Sequence, residues 1–226
     1  MKIQTLSLIT LGALAIGQPI AAQADTSFNI STVSLYKSRG VDQDGRDQAM
    51  RPALQGGLDY TSSSGFYLGN WNSSGRFGQA DVEIDLYGGY RTQLTKDLGL
   101  DLGYIHYLYP GESDWSDGEA YVGLNYRQLA FKVYRGMRPH VNQGDMYYEL
   151  GYTQPLTEKL DLKLGLGYQQ YHVEDLSSKT DYSVGLSYAL FKHLALSATV
   201  AGANHRSEVD NGSRDARFIL GVGAAF

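Results

Sequence analysis

Apolar and polar residues alternate along most of the chain with a period of two. Leu160, Leu162, Leu164, Leu166 and Tyr168 are separated by Asp161, Lys163, Gly165 and Gly167; Val82, Ile84, Leu86, Gly88 and Tyr90 are separated by Glu83, Asp85, Tyr87 and Gly89. Successive side chains of a strand point to opposite faces, so each such run predicts a strand with one greasy face and one polar or bare face. About twelve of these segments can be drawn, near 28–38, 52–61, 65–72, 81–94, 97–109, 118–127, 129–136, 145–154, 159–173, 181–190, 193–203 and 215–226. Their connections alternate between short, as at Ser62-Ser63-Ser64, Thr95-Lys96 and Gln128, and long, as at 39–51, 73–80, 110–117 and 204–214. That asymmetry, with an even strand number, is the pattern of an all-β, antiparallel transmembrane β-barrel of about 12 strands with short periplasmic turns and longer extracellular loops.

A secreted β-sandwich also alternates, and three features argue against it. Many segments reach about 10 residues, the length a tilted strand needs to cross a bilayer. Tyr90, Tyr104, Tyr126, Tyr152, Tyr168 and Tyr188 lie on the apolar face toward segment ends, where an amphipathic ring meets headgroups. The last segment closes on Phe218, Leu220, Val222, Ala224 and Phe226, a terminal aromatic after alternating apolar residues that resembles the signal read by the outer-membrane barrel-assembly machinery.

Residues 1–24 read as a signal peptide: Lys2 gives the positive end, Leu6 to Ile16 the apolar stretch, and Ala22-Gln23-Ala24 the small-residue cleavage site. Export of residues 25–226 to a bacterial outer membrane follows, with lipid and lipopolysaccharide as surroundings. The composition adds exclusions. The 226 residues include no Cys, so neither disulfides nor thiolate metal sites are available. The net charge of -5 is scattered, with no basic block to hold nucleic acid. Gly is abundant, 27 residues, and many of them fall on the inward face, where missing side chains leave a lumen unfilled.

Several strings resemble the TorF family of proposed outer-membrane porins, a conserved bacterial family of unknown function. They are Ser38-Arg39-Gly40-Val41 followed by Gln43; Pro52-Ala53-Leu54-Gln55-Gly56-Gly57-Leu58-Asp59-Tyr60; Gly65-Phe66-Tyr67 with Trp71; Glu83-Ile84-Asp85-Leu86-Tyr87-Gly88-Gly89-Tyr90; and the stretch from Tyr107 to Gly111. The resemblance spans nearly the whole of residues 25–226 and implies a porin-like role without a substrate.

In a barrel the polar face is the lumen. Counting parity places Glu83, Asp85, Glu119 and Glu149 inward on the extracellular half, an acidic vestibule. Neighbouring strands are about 4.8 Å apart, close enough for these charges to sum their field. Below them Arg91, Arg127, Lys132 and Lys163 form a basic patch facing Asp59, Asp101 and Asp161, and Tyr87, Tyr107, Tyr121, Tyr134, Tyr147 and Tyr171 point inward as lumen aromatics. The expected function is a porin-like channel for passive diffusion of small hydrophilic solutes, weakly favouring cations, with no cofactor. The alternative is a closed structural barrel acting through its loops, its lumen charges paired as struts.

An outer-membrane hydrolase is the remaining class. It needs a base fixed beside a nucleophile at the extracellular rim, and none of His106, His140, His172, His193 and His205 sits in such a signature. No catalytic residue is assigned. The loop acids Asp42, Asp44, Asp47, Asp114 and Asp117 lack calcium-loop spacing, so no metal is expected. Trp71 and Trp115 are expected as interface anchors near the extracellular rim.

Overall fold

The computed structural model describes residues 24–43, 51–172, 176–204 and 214–226. The signal-peptide residues before Ala24, with Asp44, Asp47 and His205, lie outside them. Fourteen strands are present among the described residues: β1 (Asp25–Val33), β2 (Lys37–Ser38), β3 (Val41–Asp42), β4 (Ala53–Thr61), β5 (Phe66–Phe77), β6 (Ala80–Gln93), β7 (Leu98–Leu108), β8 (Asp117–Tyr126), β9 (Leu129–Gly136), β10 (Met146–Pro155), β11 (Leu160–Gln170), β12 (Lys179–Phe191), β13 (Leu194–Ala203) and β14 (Arg217–Ala225). Twelve of them close into one antiparallel barrel, with β2 and β3 forming a separate two-stranded ribbon. An even number of up-and-down strands makes the first and last run in opposite directions, so the seam between β1 and β14 closes antiparallel, from Asn29 opposite Ala225 to Val33 opposite Gly221.

The burial pattern is that of a soluble protein turned inside out. Outward Leu68, Leu166 and Leu220 are 62%, 52% and 54% exposed, while inward Asp101, Glu83 and Lys132 are 2%, 4% and 6% exposed. Water would penalise such an apolar belt, whereas lipid accommodates it and closure leaves no unpaired edge. Near the termini Phe28 stacks on Phe226 at 4.8 Å, and His193 stacks on Phe226 at 5.2 Å. Five short turns, 62–65, 94–97, 127–128, 156–159 and 192–193, share this end with Asp25 and Phe226, and six connections lie opposite.

Two predicted boundaries need correction. The first segment ends at Val33 rather than 38, because Ser34 turns the chain inward and 37–42 pair with themselves. The predicted long loop at 73–80 is instead the two-residue turn Gly78-Gln79, since β5 and β6 keep pairing up to Phe77 opposite Ala80 around one bulge. Ser73 and Phe77 there are 1% and 2% exposed; a polar residue such as Ser73 facing a buried lumen weakens the alternation without ending the strand.

Several of the inward glycines do not leave open space. A Cβ at Gly103 would fall 2.5 Å from the Tyr121 hydroxyl and 2.7 Å from that of Tyr67, and one at Gly167 would meet the Tyr147 hydroxyl and Asp181. Glycine here is the socket into which an inward ring fits.

Candidate functional site

The polar site lies in the half of the lumen nearest the long loops. β6 and β8 descend from that end, so Glu83, Asp85 and Glu119 come early in their strands and face the same space; all three are buried. Tyrosines around the lumen hold the carboxylates by donating their hydroxyls: Tyr109 to Glu83 (2.8 Å), Tyr107 to Glu119 (3.0 Å), Tyr134 to Glu149 (3.1 Å) and Tyr147 to both oxygens of Asp181 (3.2 Å). The predicted vestibule residues are therefore brought together, as a tyrosine-braced cluster that includes Asp181. Glu83 Oε2 and Asp85 Oδ1 are buried with no hydrogen-bond partner.

The first long loop enters this space. Its ribbon pairs Lys37 with Asp42 and Ser38 with Val41, leaving Arg39 and Gly40 as the two-residue turn at φ 45° and 77°. Two positive φ angles mark the hairpin turn that favours Asn-Gly or Gly-Gly, so arginine is strained in the first position. Gly40 is required on a second count, since a Cβ there would lie 2.7 Å from the Cβ atoms of Ala203 and Asp181 in the wall. Lys37 forms an ion pair with Asp42, and Leu35, Tyr36 and Val41 are 1%, 4% and 6% exposed. Tyr36 meets Trp71 edge to face at 5.5 Å.

At the tip, the Arg39 guanidinium forms a fork with Glu119. Nη1 donates to Oε1 at 2.8 Å, and Nη2 pairs with Oε2. Nη1 also reaches Gln169 Oε1 at 3.4 Å, and the guanidinium carbon lies 4.0 Å from the Tyr147 ring centre and 5.1 Å from that of Tyr134. Burial works against its charge, but Glu119, Tyr107 and Tyr147 together outweigh it and hold the Arg39 pKa above its ordinary value.

A second layer lies below. Asp101 accepts from Tyr67 (2.6 Å) and is paired with Lys132 (3.0 Å) and Arg91 (3.4 Å), while Tyr87 donates to Asp59 (2.6 Å). Arg91 also sits over the Tyr67 ring at 3.9 Å and Lys132 over that of Tyr121 at 4.6 Å. Lys132 stands directly opposite Glu149, so acidic and basic residues overlap in height. Lys163 is inward on β11 between Thr153 and Gly185, apart from Asp101.

Arg127 is a correction to the predicted patch. It sits in the short turn after β8 at φ 54°, with its side chain 58% exposed and 3.6 Å from Asp97, outside the lumen. Trp71 is another: it points inward with Tyr67 and Gly69, opposite in parity to Phe66 and Leu68, and is buried. Trp115 is exposed beside the long-loop rim as expected. Arg39, Tyr36, Tyr67, Tyr109 and Asp181 are site residues that the alternation pattern did not single out. A residue-Gly pair flanked by Lys37 and Asp42 was the available signal for Arg39. Among the described residues no group of three His, Asp or Glu is placed to hold a metal.

A family described as a bacterial protein of unknown function (Gcw_chp) matches residues 18–224. The chain belongs to the Gcw_chp family. Among curated proteins none matches it by sequence. Solved structures that resemble this Gcw_chp chain in fold include two porins. The KdgM porin is 13% identical with a TM-score of 0.63, covering 88% of this chain and 99% of that one. The NanC porin is 8% identical with a TM-score of 0.60, covering 89% and 99%. At such identities the likeness shows the barrel fold alone and says nothing about the solute.

Proposed function

We propose that this Gcw_chp barrel is an outer-membrane channel for passive diffusion of small hydrophilic solutes, favouring cations. The observation that carries the reading is the convergence of Glu83, Asp85, Glu119 and Glu149 on one lumen, in a barrel whose outer face is apolar. Fixed carboxylates around a narrow watery path raise the local cation concentration and repel anions. Arg91 and Lys163 oppose that field lower down, and Lys132 opposes it level with Glu149. Export by a signal peptide cleaved after Ala24, assembly through the strand ending in Phe226, contact with lipopolysaccharide and the narrower TorF resemblance belong to the same proposal. Phe226 is 52% exposed and stacked on Phe28, which suits a terminal residue that must be recognised before the seam closes.

The test is the conductance of refolded protein in a planar bilayer under a KCl gradient. Stepwise conductance with a cation-signed reversal potential is expected, moving toward zero when Glu83, Asp85, Glu119 and Glu149 are neutralised together. An unchanged potential removes their role. A second reading is favoured by the seated ribbon and the filled glycine sockets: a closed barrel whose paired lumen charges brace the wall. A correctly folded protein that conducts in neither form supports it.

A further inference from the structure

The Arg39 side chain is held the way a protein holds a ligand. A carboxylate accepts two parallel N–H bonds from it, an amide oxygen accepts another contact, and two tyrosine rings lie within cation-π range. This set suits a planar guanidinium, and an ammonium would fill it poorly because it cannot bridge both oxygens while lying against a ring. None of the wall groups belongs to the ribbon: Glu119, Gln169, Tyr134 and Tyr147 come from β8, β11, β9 and β10. The occupant arrives from a loop, at the tip of a turn where its backbone is strained.

Next to it are two carboxylate oxygens without a hydrogen-bond partner. Glu83 Oε2 and Asp85 Oδ1 are buried, unpartnered and on the same lumen face, and Asp85 feels the charges of Glu83, Asp117, Arg39 and Glu119. Such an excess of acceptors suits an occupant with a second cationic group.

We propose that this cage is a binding site for the guanidinium end of a cationic solute, with Arg39 as a tethered occupant that the solute displaces. The proposal rests on the channel reading for why a solute would reach the cage, but binding can be measured without conductance.

The experiment uses Arg39→Gly, which removes the guanidinium and places at φ 45° the residue that best tolerates it. Folding is checked by the heat-dependent shift of the barrel on a denaturing gel. Methylguanidinium chloride is titrated calorimetrically into refolded protein in detergent, with tetramethylammonium chloride as control. Saturable one-to-one binding of methylguanidinium to Arg39→Gly is expected, at least tenfold tighter than to the parent and reduced at least tenfold by adding Glu119→Gln. Folded Arg39→Gly that gives no heat, or heat indifferent to Glu119→Gln, overturns the proposal. Should Arg39→Gly not fold, Arg39→Lys serves, since its ammonium competes less well; binding no tighter than the parent's overturns the proposal equally. Binding without conductance leaves the cage standing and removes the channel, whereas conductance without binding does the reverse.

Discussion

Glu119→Gln isolates the contact that seats the ribbon. The substitution keeps side-chain shape and removes one charge from beneath Arg39. Breaking a buried ion pair by losing one partner costs about 3–5 kcal/mol. The lower end applies here, because the Arg39 side chain is 24% exposed against 7% for Glu119. The glutamine oxygen still accepts one hydrogen bond, returning about 1 kcal/mol. Net weakening of the seated ribbon is therefore about 2–3 kcal/mol, or roughly 30- to 150-fold in the seated-to-unseated ratio at 1.4 kcal/mol per tenfold. Leu35, Tyr36 and Val41 keep their apolar contacts, so the ribbon still returns. The readout is trypsin cleavage after Arg39, which requires the tip to leave the cage, together with open probability in a bilayer. Both should rise in the variant by that factor when opening is fast relative to cleavage. A folded variant cleaved at the parent rate would refute the view that Glu119 holds the ribbon.

Three further outcomes are expected. Gly103→Ala puts a Cβ 2.5 Å from the Tyr121 hydroxyl and 2.7 Å from that of Tyr67, so it should destabilise the barrel by about 1–3 kcal/mol in urea unfolding from vesicles; an unaltered midpoint would mean those rings are not seated in the socket. Leu166→Arg, on the outward face, should cost about 2–4 kcal/mol if it meets the bilayer midplane, and a neutral result in lipid vesicles would deny that this belt contacts lipid. Arg127→Ala should change stability by under about 1 kcal/mol and leave the reversal potential alone, because its Asp97 partner is a turn residue; a shifted potential would return Arg127 to the conduction path.

The barrel was legible because its determinant is local: parity of side chains along each strand, repeated until closure. Parity along β6, β8, β9 and β10 turns Glu83, Asp85, Glu119, Glu149, Arg91 and Lys132 toward the lumen, and along β5 it turns Trp71 inward with Tyr67 and Gly69. Arg127 was misplaced because parity ends at a turn, where φ 54° takes the side chain off both faces. The cage was not legible for a different reason. Arg39 and Glu119 are separated by 80 residues, and nothing in an alternation pattern says that a loop returns through the mouth of its own barrel. The glycines misled in the same way: an absent side chain can mean open space or a socket, and only the position of Tyr121 or Tyr147 decides which.

A filled lumen and a channel are compatible if the filling is exchangeable, and the tether gives that exchange a scale. A group on a short flexible arm competes with free solute at an effective concentration on the order of millimolar. A guanidinium solute that makes the same fork and ring contacts must therefore reach about that concentration before it occupies half of the parent cages. The strained turn at Arg39 lowers the threshold, and the apolar seat of Leu35, Tyr36 and Val41 raises it. Deleting the side chain removes the competitor while leaving the cage, so Arg39→Gly should bind well below the parent threshold. Conductance of the parent in KCl should likewise climb as methylguanidinium passes through the millimolar range, whereas Arg39→Gly, already vacant, should be blocked by the same addition. Opposite signs in the two proteins are what displacement of a tethered occupant demands; a parent and variant that respond alike would mean the ribbon is a fixed part of the wall.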